Sequence, residues 1–220
     1  MLLVNEIYPA ICGESRFSGT PCVLVRLTGC HLRCAWCDST HAFTGGEQLS
    51  VEAVLDRVRT LGFGTVLVTG GEPLLQAESV ALMQTLLAEG YIVVLETSGT
   101  LGHDELVPLA EVPAGVHRVV DIKAPGSGID GDLIDWPGIS GLTSDDEVKI
   151  VIAGREDFTW ARDVVLADGR VPAGVRTALS PAAGELEPTL LAEWILEAKL
   201  DVAFQLQLHK ALWPDRERGV

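Results

Sequence analysis

Three closely spaced cysteines constrain this chain more than any other feature of its sequence. The run from Cys30 to Ser39 reads C-H-L-R-C-A-W-C-D-S, which places Cys30, Cys34 and Cys37 in a C-x3-C-x2-C pattern after an apolar stretch. Clustered thiolates are soft ligands, and they favour an iron–sulfur cluster or zinc over calcium or magnesium. The pattern therefore predicts a metal centre in the loop that follows the apolar stretch.

Two kinds of metal centre fit three thiolates. A structural zinc ion is almost always bound by four side chains, and no fourth cysteine or pair of histidines follows at a suitable spacing. Three thiolates on a four-iron cluster would leave one iron open to another ligand. The cluster is the favoured interpretation, while a zinc knuckle and three reduced thiols remain the alternatives. The other two cysteines, Cys12 and Cys22, are expected to be reduced apolar fillers.

The composition excludes several classes of protein. With 220 residues, 47% hydrophobic and 21% charged, the chain is long enough for one domain with a sizeable core. A formal net charge of -15 disfavours binding to the phosphate backbone of nucleic acids. The sequence contains no uninterrupted run of about 18 apolar residues, so no membrane span is predicted. The first residues show no signal-peptide pattern, so we expect a cytoplasmic protein.

Apolar strand patterns alternate with helical patterns along the chain, which indicates an α/β fold. The predicted strands cover residues 2–8, 22–27, 65–69, 92–96, 118–122, 147–152, 175–179 and 202–206. The predicted helices cover residues 51–61, 79–89, 104–109, 157–167 and 188–199. The strands are apolar on both faces, which is typical of a parallel sheet. Residues 124–146 are predicted to form a loop or lid.

Polar residues and glycines collect where the predicted strands end. Because ligands bind at the C-terminal ends of parallel strands, these segments are expected to form one active site. They are residues 30–39, 70–73, 96–99, 121–123, 149 and 207–210.

The cysteine pattern, followed one strand later by the G-G-E-P segment at residues 70–73, resembles the radical S-adenosylmethionine (SAM) enzymes. That resemblance implies a [4Fe–4S] cluster on three cysteines, with SAM bound at the open iron. It also implies an α/β partial TIM-like barrel of reduced size with mostly parallel strands. Residues 1–220 would form a single domain, with an N-terminal substrate loop and a C-terminal substrate-binding segment.

Shorter segments resemble one branch of these enzymes, the 7-carboxy-7-deazaguanine synthase family. They match in order and spacing at residues 12–14, 25–30, 37–39, 96–100 and 207–210. The implied reaction is a radical ring contraction, catalysed by a carbon–nitrogen lyase of queuosine and 7-deazapurine biosynthesis. It converts 6-carboxy-5,6,7,8-tetrahydropterin to 7-carboxy-7-deazaguanine and ammonia.

The same resemblance implies a role for each matching residue. The cluster ligands would be Cys30, Cys34 and Cys37, and Ser39 would bind Mg2+, for which a hydroxyl is a suitable hard ligand. The SAM-binding set comprises Trp36, Cys37, Asp38, Gly71, Glu72, Gly99, Lys123 and Lys149. The substrate-binding set comprises Ile11, Cys12, Gly13, Glu14, Arg26, Thr97, Gln207 and His209.

The sequence also departs from the family pattern, and simpler interpretations exist for individual residues. Cys12 stands where glutamine is usual, Ser15 where glycine is usual, and Ser39 where threonine is commoner. The D-I-K segment at residues 121–123 replaces a more usual S-P-K. Arg26, inside an apolar strand, needs a carboxylate partner, which could be a bound substrate or Glu14 in a buried ion pair.

Two other functions are compatible with the cysteine pattern. One is an activase that generates a glycyl radical on a partner protein, and the other is a metal-binding module without catalytic activity. For the synthase, the resemblance implies a homodimer that receives electrons from a small flavodoxin or ferredoxin. No nucleic-acid or membrane partner is expected.

Overall fold

One sheet runs through the whole molecule. The computed structural model describes residues 1–216, 218 and 219, and within these residues the sheet has nine strands. The strands are β1 Leu2–Ile11, β2 Pro21–Leu27, β3 Glu47–Leu49, β4 Thr65–Gly70, β5 Ile92–Thr97, β6 His117–Ile122, β7 Glu147–Ile152, β8 Arg176–Pro181 and β9 Ala203–Phe204. Their spatial order is β3-β1-β2-β4-β5-β6-β7-β8-β9.

From β2 to β9, every pair of neighbouring strands is parallel, whereas β1 is antiparallel to both β2 and β3. The two outer strands, β3 and β9, are not paired with each other, so the barrel is partial. The prediction of an α/β fold with mostly parallel strands in a partial barrel is confirmed.

Six α-helices connect or follow the strands in the described part of the chain. They are α1 Val51–Leu61, α2 Glu78–Ala88, α3 Trp136–Ser140, α4 Arg155–Trp160, α5 Pro188–Ala198 and α6 Leu208–Leu212. The ends of α1 follow from its sequence: Ser50 Oγ accepts a hydrogen bond from the amide of Ala53, and Gly62 ends the helix with a positive φ of 76°. None of these helices is long and apolar enough to cross a bilayer.

The two faces of the sheet have different neighbours, because successive side chains of a strand point to opposite sides. On β2, Val23, Val25 and Leu27 belong to the main core that includes the helices. The alternate residues Cys22 and Leu24 belong to a smaller apolar cluster with residues of β1, β4, β5 and β6. The inner face of the partial barrel therefore has a small apolar patch, and its remaining positions are free for polar side chains.

Several predicted elements differ from the observed ones. Residues 104–109 are not a helix; Pro108 disfavours helical geometry in the residue before it, and a 3-10 turn follows at Leu109–Glu111. The helix predicted at 157–167 begins earlier as α4 and continues as a π-helix, Ala161–Leu166, in which the amide of Ala167 bonds the carbonyl of Arg162. The predicted loop at 124–146 contains α3.

The largest differences lie at the sheet edges. Strand β3 was not predicted, and the strand predicted at 202–206 is reduced to the two residues of β9. The next residue, Gln205, is buried and donates a side-chain hydrogen bond to the carbonyl of Ser15 at 3.2 Å. Its backbone amide still bonds the carbonyl of Leu179 on β8 at 3.0 Å, and α6 begins three residues later.

The main core can be tested with one pair of leucines. Leu82 of α2 is fully buried, whereas Leu196 of α5 is 76% exposed. We expect Leu82→Ala to lower the free energy of unfolding by about 2–5 kcal/mol, because it leaves a cavity between helix and sheet. Leu196→Ala should change it by less than about 0.5 kcal/mol. Denaturant unfolding under anaerobic conditions measures both values, and equal losses would contradict the described burial of α2.

Candidate active site

A cavity of about 190 Å³ lies inside the partial barrel, at the C-terminal ends of the parallel strands. Most of the residues that the sequence assigned to the cluster, SAM, Mg2+ or substrate line this cavity. They are Ile11, Gly13, Glu14, Arg26, Cys30, Cys34, Trp36, Cys37, Asp38, Ser39, Gly71, Thr97, Lys123, Lys149, Gln207 and His209. The remaining three, Cys12, Glu72 and Gly99, do not line the cavity.

Backbone hydrogen bonds hold the cysteine loop at the cavity entrance. The amide of Gly29 bonds the carbonyl of Ala42 at 2.8 Å, and the carbonyl of Gly29 accepts from the amide of Glu72 at 2.8 Å. A Cβ on Gly71 would overlap that same carbonyl and would lie 2.7 Å from Cβ of Cys30. The G-G-E-P segment therefore packs against the start of the cysteine loop, and this packing requires glycine.

All three cysteines of the loop are free thiols and are partly exposed at the cavity wall. Burial raises the pKa of the Cys30 and Cys34 thiols, and nearby Lys123 opposes this effect at Cys34. Metal binding requires the thiolate form, so a bound cationic centre would have to lower these pKa values. No group of three His, Cys, Asp or Glu side chains in residues 1–216, 218 and 219 surrounds a point suited to a single metal ion.

Glu72 is 1% exposed and organises the end of β5 instead of lining the cavity. Its Oε1 accepts hydrogen bonds from Oγ1 of Thr97 at 2.8 Å and from the amide of Leu74 at 3.0 Å. Its Oε2 accepts from the amide of Ser98 at 2.8 Å. Thr97 itself lines the cavity, so Glu72 fixes the orientation of a predicted substrate-binding residue.

Local packing explains why Cys12 and Gly99 do not line the cavity. Cys12 is 2% exposed and packs in the smaller apolar cluster with Cys22, as expected for an apolar filler. Gly99 has a positive φ of 58°, and a Cβ there would overlap Cγ1 of Val120. The roles predicted for Cys12 in substrate binding and for Gly99 in SAM binding stay predictions.

Buried charges form a connected group on the inner faces of β6 and β7. The ammonium of Lys149 lies 3.0 Å from Oε2 of Glu14 and 3.3 Å from Oδ2 of Asp121. The same Asp121 oxygen lies 3.0 Å from the ammonium of Lys123. Asp121 and Lys149 are paired in the register of the two strands, so the sheet itself brings the charges together. We call Glu14, Asp121, Lys123 and Lys149 the lysine cluster.

Each carboxylate of the lysine cluster keeps one buried oxygen without a hydrogen-bond partner among the described residues. These atoms are Oε1 of Glu14 and Oδ1 of Asp121. A buried acceptor without a partner is costly, and both residues line the cavity. The two oxygens are therefore suited to accept N–H or O–H groups from a bound molecule.

The pKa values of the lysine cluster reflect burial and mutual attraction. Burial opposes the charge on Asp121, but Lys123 and Lys149 outweigh it and lower the pKa of the carboxyl group. Burial also opposes the charge on Lys149, but Asp121, Glu14 and Glu96 raise its pKa well above the ordinary value. The pKa of Glu14 is raised, mainly by burial and further by Glu96.

Arg26 has its own carboxylate partner, and this partner is not Glu14. Its Nε lies 3.0 Å from Oε2 of Glu6, which also lies 3.2 Å from Nε2 of His41. Glu6 and Arg26 face each other in the register of β1 and β2. The alternative interpretation of a Glu14–Arg26 ion pair is wrong, because register places Glu6 opposite Arg26.

The predicted C-terminal segment meets the cysteine loop across the cavity. His209 and Lys210 of α6 each approach Oδ2 of Asp38 at 3.6 Å. Burial opposes the charge on Asp38, but these two side chains lower the pKa of its carboxyl group. Ser39 follows; it lines the cavity, and its side chain makes no capping hydrogen bond to the 3-10 turn after it.

The N-terminal loop closes against the same C-terminal segment. The carbonyl of Gly13 accepts a hydrogen bond from the amide of Leu208 at 2.9 Å. A Cβ on Gly13 would overlap the imidazole of His209. The structure thus brings together the two substrate segments predicted from opposite ends of the chain.

Two polar residues of the wall, His41 and Thr69, lie outside the segments predicted at the strand ends, whereas Glu96, Asp121 and Lys210 lie within those segments but had no predicted role. Asp121 did carry a signal, because a charged residue inside an apolar strand requires a partner. Its partners on β7 and after β6 become evident only from strand pairing.

Comparisons with known proteins agree with this geometry. A family model described as the Radical SAM superfamily matches residues 24–121, which include the three cysteines. A 7-carboxy-7-deazaguanine synthase from Koribacter versatilis is 41% identical over 99% of this chain and 99% of the relative. A second one, from Chlorobaculum tepidum, is 39% identical over 100% of this chain and 97% of the relative.

The chain belongs to the 7-carboxy-7-deazaguanine synthase family.

Solved structures also share the fold of this family member. The crystal structure of QueE from Escherichia coli superposes with a TM-score of 0.72 at 23% identity and covers 94% of both chains. Streptococcus suis SuiB bound to S-adenosylmethionine superposes with a TM-score of 0.55 at 12% identity and covers 84% of this chain and 47% of that one. At these identities the likeness establishes the fold alone.

The lysine cluster gives a test with a defined pH dependence. Asp121→Asn removes the charge shared by Lys123 and Lys149, so we expect a loss in free energy of unfolding on the order of 3 kcal/mol near neutral pH. Because the pKa of Asp121 is lowered from 3.8, its stabilisation is complete above that value and is lost as pH falls through the folded-state pKa.

Denaturant unfolding at several pH values measures the difference between wild type and Asp121→Asn. It should be constant from about pH 5 to pH 8 and should shrink below pH 3.8. A difference that grows on acidification would contradict an ionised, lysine-bound Asp121.

Proposed function

We propose that the protein is a radical SAM 7-carboxy-7-deazaguanine synthase. It converts 6-carboxy-5,6,7,8-tetrahydropterin to 7-carboxy-7-deazaguanine and ammonia by radical ring contraction, as a carbon–nitrogen lyase of queuosine and 7-deazapurine biosynthesis. The observation that carries the proposal is one cavity lined both by three free thiols and by a buried lysine cluster. Similarity over the full length to synthases of this name supports it.

The side chains fit the cofactors that the proposal requires. Cys30, Cys34 and Cys37 are soft, free donors at one end of the cavity and would hold a [4Fe–4S] cluster. SAM would lie between this end and the strand ends, against Trp36, Asp38, Gly71, Lys123 and Lys149, with Glu72 and Gly99 shaping the wall behind it. When bound, cluster and SAM supply the one-electron radical chemistry that protein side chains lack.

The lysine cluster would orient the substrate. Pterins carry N–H donors on one edge, and the free oxygens of Glu14 and Asp121 are acceptors that such donors satisfy. The substrate also carries a carboxylate, for which the guanidinium of Arg26 is a bidentate donor. Thr97, held by Glu72, together with Ile11, Cys12, Gly13, Gln207 and His209, would complete the pocket.

Ser39 would bind Mg2+ beside the substrate. A hydroxyl is a hard oxygen ligand, and Mg2+ usually keeps waters or substrate oxygens in most of its coordination shell. The Ser39 hydroxyl is available, because it does not cap the following turn. Asp38 is less available, since His209 and Lys210 already share its carboxylate.

The nature of the cavity favours a small substrate over a protein. It measures about 190 Å³, and its wall carries buried charges whose cost is met only by specific polar partners. Activation of a glycyl residue on a partner protein would instead require a groove for an extended chain. We further propose a single domain over residues 1–220, a homodimer, a cytoplasmic location, and a small flavodoxin or ferredoxin as electron donor.

Turnover is the direct test of this function. Anaerobically reconstituted protein should convert 6-carboxytetrahydropterin with SAM, Mg2+ and a reductant to a product with the mass of 7-carboxy-7-deazaguanine. SAM should be cleaved only in substoichiometric amounts, because it serves as a cofactor. An intact cluster that cleaves SAM but yields no ring-contracted product would refute the substrate assignment while leaving the radical chemistry in place.

The cluster ligands can be separated from the other cysteines by one pair of variants. Cys34→Ala should abolish the iron–sulfur absorption and SAM cleavage, because it removes one of three thiolates. Cys22→Ala is the control, since Cys22 is fully buried in the smaller apolar cluster away from the loop. It should retain iron, sulfide and activity; zinc without sulfide in the wild type would favour the zinc alternative.

A further inference from the structure

The loop at residues 12–20 starts at the end of the sheet opposite to the cysteine loop and runs to the cavity wall. Because β1 is antiparallel to β2, its last residue, Ile11, pairs with Pro21 at the start of β2. That level of the sheet is the N-terminal end of the parallel strands. From there the loop carries Gly13 and Glu14 to the cavity wall.

Arg16 anchors this loop to the beginning of β7. Its backbone amide donates to Oε1 of Glu147 at 2.7 Å, and its Nε donates to the same oxygen at 3.2 Å. Its Nη2 donates to the carbonyls of Ser144 at 3.0 Å and Asp146 at 3.3 Å. One arginine therefore bonds three residues of the short segment 144–147 that leads into β7.

Glu147, the carboxylate that binds Arg16, is 1% exposed and is itself held by other residues. Its Oε1 accepts a hydrogen bond from Nε2 of His117 at 2.8 Å, and Arg176 contacts its Oε2. Burial opposes the charge on Glu147, but His117, the Arg16 amide and Arg176 outweigh it and lower its pKa to about 2. The carboxylate is therefore ionised, and residues of β6 and β8 orient it together with the loop.

Two residues of the loop pair with two residues of β7 at the same spacing along the chain. Residues 147 and 149 are two apart on a strand, so their side chains lie on the same face. Arg16 meets Glu147, and Glu14, two residues earlier, meets Lys149 at 3.0 Å. Since only one residue separates Glu14 from Arg16, a shift of Arg16 along β7 would also displace Glu14 from Lys149.

Ser15, the residue between Glu14 and Arg16, has a backbone conformation that depends on contacts with its neighbours. Ser15 has a positive φ of 68°, which is uncommon for a residue other than glycine. Its carbonyl accepts from Nε2 of Gln205, and its hydroxyl accepts from the amide of Phe17. The ring of Phe17 packs edge-on against His117, with 5.1 Å between centroids.

We propose that Arg16, bound to Glu147, is a positioning residue that holds Glu14 at the cavity wall, where Glu14 pairs with Lys149. The inference rests on the proposed function, because it assigns Glu14 to substrate binding. Arg16 itself is absent from the cavity wall, so it acts through the loop. Its expected signature is weaker substrate binding with an unchanged cluster, because none of the hydrogen bonds of Arg16 is made to the cysteine loop.

A matched control exists because Glu147 binds two arginines of similar exposure. The side chains of Arg16 and Arg176 are 36% and 32% exposed, and each pairs with this carboxylate. Only Arg16 belongs to the loop. Arg16→Met and Arg176→Met keep an unbranched apolar stem and remove the guanidinium, so both remove one ion pair from Glu147. A merely structural role would make the two variants alike.

The experiment compares both variants with the wild type as anaerobically reconstituted enzymes. Arg16→Met should raise the KM for 6-carboxytetrahydropterin about tenfold, equivalent to about 1.4 kcal/mol, while the cluster absorption stays unchanged. Peptides covering residues 12–20 should exchange amide hydrogens faster than in the wild type. Arg176→Met should keep the KM within about twofold and leave that exchange unchanged.

Equal effects of the two variants on the pterin KM, or a loss of cluster absorption in Arg16→Met, would overturn the proposal. So would unchanged exchange in residues 12–20 of Arg16→Met. If that variant does not accumulate, Arg16→Lys replaces it, because a lysine can pair with Glu147 but cannot also reach both carbonyls. It should show an intermediate KM and exchange, and wild-type values for both would contradict the proposal.

The failure of this inference can be told apart from failure of the proposed function. A wild-type enzyme that does not convert the pterin would refute the function. The exchange measurement would still report whether Arg16 anchors the loop, and the turnover of the wild type is measured in the same series.

Discussion

The interaction on which this site most depends is the buried ammonium of Lys149, held between the carboxylates of Glu14 and Asp121. Moving such a charge out of water is costly unless opposite charges surround it. The sheet meets part of this requirement by pairing Asp121 with Lys149 across β6 and β7. The N-terminal loop meets the rest by bringing in Glu14. One buried charge thus connects the rigid part of the fold with a loop that has little regular structure.

The two loops of the cavity are held mainly by different means. At the C-terminal ends of the strands, glycines and backbone hydrogen bonds hold the start of the cysteine loop against the G-G-E-P segment, and Asp38 further along meets His209 and Lys210. Ion pairs hold the substrate loop around Ser15, whose φ is positive. This division suits the proposed chemistry, since a cluster requires a fixed backbone and a polar substrate requires matched charges.

The sequence predicted most of the architecture, because long apolar strands and capped helices are local signals. Strand β7 and helix α1 have the predicted bounds, whereas β3 and β9 do not. Edge strands are short and depend on pairing partners, which a local pattern does not contain. The helix predicted at 104–109 failed because Pro108 acts on its neighbour, and the π-helical segment after α4 has no recognised local signal.

The sequence by itself determined the cysteine spacing, the alternation of strands and helices, and the family, since these depend on residue order alone. Only the tertiary structure decided which charges meet. It paired Arg26 with Glu6 instead of Glu14, gave Glu14 to Lys149, and placed Asp121 between two lysines. The physical reason is that register and loop path, not distance along the chain, set which groups share a low-dielectric site, and charges buried there select their partners strongly.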